Sequence, residues 1–124
     1  MSRIRQAAVG LAGLRILYGV ALAAAPARTT RSWLGPDGAS AGGRVALRGL
    51  GGREVVVHAG AIAAALSGAP VRPWLIGSIA GDSADIAATF ASSGGLPEKA
   101  AVKTLAVAGV SAALTVAVVA ALDE

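Results

Sequence analysis

The sequence has 124 residues, enough for one ordinary domain, of which 55% are hydrophobic and 15% are charged. Because soluble domains carry about 25% charged residues, these values exclude a disordered chain and disfavour a soluble enzyme. The net charge of +4 comes from scattered basic residues in a chain with only 3% aromatic residues, which fits contact with anionic lipid better than nucleic-acid binding. We therefore predict a single transmembrane domain over residues 1–124, a multi-pass protein of the plasma membrane.

Four apolar segments, separated by short stretches rich in Pro, Gly and Ser, predict four helices. As helices they are each about as long as the hydrocarbon core is thick, roughly 30 Å. Short connections favour antiparallel neighbours, so we expect an all-α fold, an integral membrane four-helix up-down bundle. The predicted spans are residues 6–25, 44–66, 73–91 and 100–122.

The first segment carries Arg15 near its centre. A central arginine costs about 2.5–3.5 kcal/mol on the insertion scale, which the surrounding apolar residues roughly offset. The segment is therefore marginal alone, and the rest of the bundle must accept Arg15. A secretory signal peptide is the alternative, because Arg3 and Arg5 precede the apolar run and residues 25–27 resemble a cleavage site. Arg15 disfavours that alternative because it divides the run into two short halves.

A loop is expected over residues 26–43, which contain several Gly and Pro turn signals. The second segment is the weakest membrane span, since its first half is charged, and a helix half-buried against its neighbours would suit it best. The glycine-rich residues 49–52 lie within this helical span and predict close helix packing in preference to phosphate binding. The charges in its first half are Arg44, Arg48, Arg53 and Glu54.

The third segment begins with Pro73, which suits a first helical position. It contains two carboxylates at membrane depth, Asp82 and Asp85, and a GxxxG spacing at Gly77 and Gly81 that permits close helix approach. The fourth segment is the strongest transmembrane prediction, because residues 104–122 contain no charge.

The ionisable residues inside these segments form a candidate intramembrane charge network. A count of helical rise places three arginines and three acids in one layer of the membrane. Pairing is expected, because unpaired charges in hydrocarbon are very costly, and the layer would then sum to zero. We expect Asp82 and Asp85 to accept hydrogen bonds from Arg15 and from Arg48 or Arg53. The network consists of Arg15, Arg48, Arg53, Glu54, His58, Asp82 and Asp85.

Two interpretations of this network stay open. Buried ion pairs can fix the register of packed helices, or the same groups can relay protons or ions. Glu54 and His58, which are four residues apart on one helix face, are the best relay pair. We expect a non-enzymatic accessory or structural membrane protein, with a small proton- or ion-coupled transporter as the alternative.

Enzyme motifs are missing from the sequence. It contains no GxSxG, Walker A, HExxH or Rossmann pattern. Paired carboxylates such as Asp82 and Asp85 can hydrolyse sugars, but their membrane depth argues against that substrate. With no cysteine and one histidine, we expect no metal site and no cofactor.

Several runs resemble small four-span bacterial membrane proteins of unknown function: GLRILYGVALAAAP, WLG and RGLGGREVVVHAG, followed by the Gly-rich helix with Asp82 and Asp85. One such family, of actinobacterial type, opens its second span with a Gly-x-Arg-Asp-like element. Residues 51–54, Gly-Gly-Arg-Glu, are similar to it with Glu in place of Asp. The resemblance implies a four-span fold and a membrane location, and it brings no known activity. The expected partners are membrane lipid and either further copies of the chain or a larger membrane complex, and not nucleic acid.

Overall fold

The protein is all-α, as predicted. A computed structural model of the chain describes all 124 residues and contains six α-helices and no strand. The predicted number of four helices is wrong, because two single turns of helix follow the first long helix. In chain order the helices are α1 (Arg3–Ala24), α2 (Pro26–Thr29), α3 (Arg31–Leu34), α4 (Ala41–Ser67), α5 (Arg72–Ala91) and α6 (Ala100–Ala121).

The four long helices α1, α4, α5 and α6 cover the four predicted segments, with ends that differ by at most three residues. The correction concerns residues 26–43, predicted as a loop. Pro26 occupies the first position of α2, where its missing N–H costs nothing. The Thr30 hydroxyl then donates to the Pro26 carbonyl at 2.8 Å. A 3₁₀ turn, Gly35–Ala39, follows α3, with Gly35 at φ +60°.

Antiparallel contacts arrange the long helices in two pairs. Arg5, in the first turn of α1, donates a hydrogen bond to the carbonyl of Ala64, near the end of α4, at 3.0 Å. The backbone N–H of Arg72, at the start of α5, donates to the Glu124 side chain, just beyond the end of α6, at 2.9 Å. The chain reverses between α4 and α5 at Gly68, whose φ of +78° lies in the left-handed region. The two pairs are α1 with α4 and α5 with α6.

Glycines bring α1 and α4 close together. A Cβ atom at Gly19 would lie 2.7 Å from the Gly51 carbonyl oxygen, so neither position has room for a side chain. This contact agrees with the close packing predicted from residues 49–52. The GxxxG prediction is wrong: a Cβ at Gly77 would have no atom within 4 Å, and Gly81 faces a flexible side chain. Both glycines of that motif border a cavity and no helix backbone.

Polar groups share the interior with small apolar residues, while many large apolar side chains are exposed. Five of the eight residues of the apolar core cluster are alanines, and the interior also holds acids, a histidine and hydroxyls. By contrast, 17 large hydrophobic residues are exposed, and only Ala100 and Thr115 of α6 are buried. Helices α1 and α6 are long and apolar enough to cross a membrane. The buried polar residues are Thr30, Glu54, His58, Ser78, Asp82, Thr89 and Thr115.

Candidate functional site

Arg15, in the middle of α1, lies at the centre of the candidate site. Its Nε and Nη2 atoms donate to the two carboxylate oxygens of Glu54, at 2.9 Å each. Its Nη1 and Nη2 atoms donate to the two oxygens of Asp82, at 2.8 and 2.7 Å. Nη1 also donates to the Ser111 hydroxyl. All five guanidinium N–H groups therefore have partners, and one side chain contacts α4, α5 and α6.

The arginine and its two carboxylates, called here the Arg15 triad, are shielded from the surroundings. The side chains of Glu54, Asp82 and Arg15 are 5%, 4% and 11% exposed. Bidentate pairing and charge-assisted hydrogen bonds offset the cost of removing three charges from water. No buried side-chain nitrogen or oxygen in the protein lacks a hydrogen-bond partner. The triad connects the α1–α4 pair to the α5–α6 pair.

His58 extends the triad by one turn of α4. Its Nδ1 atom lies 2.7 Å from the backbone oxygen of Glu54 and 3.5 Å from the Glu54 carboxylate. Because a carbonyl oxygen only accepts hydrogen bonds, Nδ1 carries the proton. The other ring nitrogen, Nε2, lies 2.8 Å from Ser78 Oγ and accepts from that hydroxyl. The contact expected between Glu54 and His58 is therefore present, and it uses both the backbone and the side chain of Glu54.

Asp85, one turn beyond Asp82 on α5, has a weaker partner. Arg53 Nη2 lies 3.7 Å from Asp85 Oδ2, too far for a hydrogen bond. The two side chains are 47% and 27% exposed. Either Arg48 or Arg53 was expected to join Arg15 in binding the aspartates. Arg53 contacts Asp85 only through this long ion pair.

Arg48 is not part of the network, which corrects the prediction from charge and depth. Its Nε atom donates instead to the carbonyl of Ala23, at 3.2 Å. That carbonyl belongs to the last turn of α1, where backbone oxygens have no partner within the helix. Two arginines therefore remain against three carboxylates, and the network carries a formal charge of −1 with His58 neutral, where the sequence predicted zero.

Two cavities reach the network. The first, of about 190 Å³, lies between α4 and α5 and borders Glu54, His58 and Ser78. It exists because Gly77 and Gly81 present no side chains there. A cavity of this size, with several polar groups in its wall, is suited to hold water.

The second cavity, of about 490 Å³, is a groove between α1 and α6. Its walls are largely apolar, with Leu14 and Val107 among them, and it reaches Arg15, Asp82 and Asp85. Its volume is in the range of small-molecule sites. The network is therefore approached from two sides, through a polar cavity and through an apolar groove.

Sequence reasoning missed two contributors to the site. Ser111 is one of three hydroxyl residues in the uncharged part of α6 and lies about 17 Å into that helix, close to its middle like Arg15 in α1. A comparison of the depths of hydroxyl residues in the four segments, and not only of charged residues, would have found Ser111. Trp33, from the stretch predicted as a loop, borders the groove and donates its indole N–H to Thr89 Oγ1 at 2.9 Å.

No group of three or more His, Asp or Glu side chains is placed to hold a metal ion. No family model, no curated protein and no solved structure matches the chain. The resemblance to four-span bacterial membrane proteins therefore stays a prediction, and any assignment of function depends on the geometry described above.

Proposed function

We propose that the protein is a small integral membrane protein with four membrane-crossing helices in an up-down bundle, and that its role is structural or accessory. The exposure of large apolar side chains, together with the burial of two acids, carries this proposal. Seventeen large hydrophobic residues face outward, whereas Glu54 and Asp82 are only 4% and 3% exposed. Soluble monomers rarely expose large contiguous apolar surfaces. In lipid, the same distribution places the Arg15 triad away from the hydrocarbon, whereas the side chains of Arg53 and Asp85 are 47% and 27% exposed.

In this proposal α4 and α5 become membrane helices because Glu54 of α4 and Asp82 of α5 turn inward, whereas the arginines of α4 lie at the protein surface. Helix α4 exposes Val45, Val56 and Leu66, and α5 exposes Ile76 and Phe90. Their acids meet Arg15 of α1 in the interior. A helix that would insert poorly alone is thus acceptable within the assembled bundle.

A structural role follows from how completely the Arg15 triad is satisfied. Each guanidinium N–H already has an acceptor, so the arginine has no free donor for a substrate. Small alanine side chains supply little apolar contact between the helix pairs, and the triad provides the specific connection that they lack. The outward face of α6, with Val102 and Leu105, is then available to lipid or to a membrane partner.

Cysteine labelling tests the four-span arrangement, because the natural chain contains no cysteine. Single variants Asp37→Cys, Ser67→Cys, Ser93→Cys and Asp123→Cys all change exposed residues in the connections or just beyond α6. A membrane-impermeant maleimide should label positions 37 and 93 from one side of the membrane and positions 67 and 123 from the other. Labelling of all four from one side would contradict four crossings.

A proton- or ion-coupled transporter is the second candidate, favoured by the two cavities that reach Glu54 and Asp82. Purification in detergent separates the two roles. Co-purification of another membrane protein in fixed proportion supports the accessory role. A homo-oligomer without partners that moves protons into liposomes, measured with an enclosed pH-sensitive dye, supports transport.

A further inference from the structure

Asp85 differs from the other two acids of the network in one respect. Glu54 and Asp82 each accept two hydrogen bonds from Arg15. The Asp85 carboxylate accepts none, and its nearest cation is Arg53 at 3.7 Å. The Thr89 hydroxyl donates to the Asp85 backbone oxygen and leaves the carboxylate without a partner. Asp85 lies about 20 Å into α5, so this carboxylate is at membrane depth.

The charge of the network points to the same residue. Among the groups within ion-pair distance of each other, two arginines face three carboxylates, and the one negative charge in excess is costly in a low-dielectric layer. One bound proton makes the layer neutral. Both oxygens of Glu54 and both oxygens of Asp82 accept from Arg15, and because a guanidinium only donates, a proton on either carboxylate would displace one of these hydrogen bonds. Asp85 is the carboxyl that can accept the proton without breaking a hydrogen bond.

Asp85 is also within reach of the surroundings. Its side chain is 27% exposed, and it borders the groove of about 490 Å³ between α1 and α6. Groups from all four long helices surround it. The titratable and charged side chains that face it are Arg15 and Tyr18 from α1, Arg53 and Glu54 from α4, Asp82 from α5 and Lys103 from α6.

We propose that Asp85 is a proton-binding site of the membrane-embedded protein, loaded and unloaded through the groove between α1 and α6. Uptake places one proton on a carboxylate oxygen of Asp85 and makes the network neutral. Release returns that proton to water in the groove and leaves the carboxylate facing Arg53. The Arg15 triad is unchanged by either step. This inference rests on the proposed membrane location and is independent of the choice between the accessory and the transport role.

Dicyclohexylcarbodiimide tests the site, because it modifies protonated carboxyl groups in apolar surroundings. Membranes that contain the protein are treated with it at a series of pH values, and the modified residue is identified by mass spectrometry. We expect one adduct per chain, on Asp85, with labelling that falls about tenfold per pH unit once the carboxyl ionises. Asp37 and Asp123, which are exposed, serve as internal controls and should stay unlabelled.

Variants make the assignment specific. Asp85→Asn should abolish labelling, and Arg53→Gln should extend labelling to higher pH, since the counter-ion of the ionised form is gone. Equal labelling of Asp82 and Asp85, or no adduct on Asp85 at any pH, would overturn the proposal. Suppression of the adduct by sodium ions at constant pH would also overturn it, in favour of a metal cation. Sedimentation of the same sample keeps the failures apart: unlabelled protein in the membrane pellet contradicts only the proton site, and protein in the supernatant contradicts the membrane location.

Discussion

Arg15 donates hydrogen bonds from both of its terminal nitrogens to both carboxylate oxygens of Asp82, at 2.8 and 2.7 Å. The two residues belong to α1 and α5, whose backbones do not pack closely against each other. The bidentate pair therefore acts across the interior of the bundle, between the two antiparallel helix pairs. Planar guanidinium geometry suits this position, and a lysine would satisfy only part of it.

Loss of Arg15 should destabilise the protein strongly. Arg15→Gln leaves Glu54 and Asp82 buried without their cation, and removal of one partner from a buried ion pair typically costs about 3–5 kcal/mol. Denaturant unfolding in detergent, followed by circular dichroism, measures the change in the free energy of unfolding.

The matched control for this change is Arg48→Gln. Arg48 is an exposed arginine with a single backbone contact, and its loss should cost at most about 0.5 kcal/mol. The triple variant Arg15→Met, Glu54→Gln, Asp82→Asn should recover much of the loss, because it leaves no unpaired charge. Equal stability of the two single variants would contradict the central position of Arg15.

Substitution of glycine by alanine should change the stability of the protein in opposite directions at Gly19, which lies in the α1–α4 contact, and at Gly52, which does not. Gly19→Ala places a methyl group 2.7 Å from the Gly51 carbonyl oxygen and should cost about 1–3 kcal/mol through overpacking. Gly52→Ala, one residue further along α4, meets no atom within 4 Å and should gain about 0.5–1 kcal/mol of helix stability. Thermal unfolding of both variants measures the contrast, and a stabilising Gly19→Ala would contradict the close approach.

The single histidine provides a spectroscopic test of the site. The Glu54 carbonyl fixes the proton of neutral His58 on Nδ1, with Nε2 accepting from Ser78. Nitrogen-15 NMR of protein labelled at histidine should therefore show the Nδ1–H tautomer at neutral pH. Ser78→Ala should move the Nε2 resonance and leave the Nδ1 proton in place. Observation of the Nε2–H tautomer in the natural protein would contradict this hydrogen-bond arrangement.

We expect the protein to lose stability in acid because of the Glu124 carboxylate. Desolvation alone would raise its pKa, but the backbone N–H groups of Val71 and Arg72, together with the charges of Arg5 and Arg72, outweigh that effect and lower the pKa below the ordinary 4.5. Because the folded pKa lies below the unfolded one, the stabilisation is complete above about pH 4.5 and is lost as the pH falls through the folded value. Melting temperatures measured across this range should decline accordingly.

Substitution identifies Glu124 as the source of that decline. Glu124→Gln should unfold at a lower temperature than the natural protein at neutral pH and should show a smaller change on acidification. Asp123→Asn is the matched control, since Asp123 is exposed and makes no side-chain hydrogen bond. An Asp123→Asn variant that matched Glu124→Gln in both respects would refute the assignment.

Hydropathy, together with the residues that end helices, was sufficient to predict the four long helices. Apolar runs that end in Pro, Gly and Ser leave few choices for where a helix stops, and the observed ends differ from the predicted ones by at most three residues. A hydrogen bond from Arg15 to one of the two aspartates of α5 also followed from the sequence, because unpaired charges in hydrocarbon are costly, whereas the pair of Arg15 with Glu54 was not predicted. The short helices after Pro26 did not follow, since each is a single turn of backbone hydrogen bonds within a stretch rich in turn residues.

The remaining errors concern partners that charge counting does not consider. Arg48 binds a backbone carbonyl at the end of α1, and every helix end supplies such acceptors whatever its sequence. Ser111 enters the site as a hydroxyl in the uncharged part of α6. Close helix contact depends on the register between two helices, so Gly19 and Gly51 meet although neither belongs to a GxxxG motif, whereas Gly77 borders a cavity.

Sedimentation tests the central claim, that apolar side chains face lipid and the Arg15 triad lies inside the protein. Cells that express the chain are lysed without detergent, and the membranes are collected at high speed, washed with alkaline carbonate and collected again. The account predicts that the protein stays in the pellet through the wash and enters the supernatant only when detergent is added. Protein that remains in the supernatant of the detergent-free lysate, or that the carbonate wash releases, would contradict it.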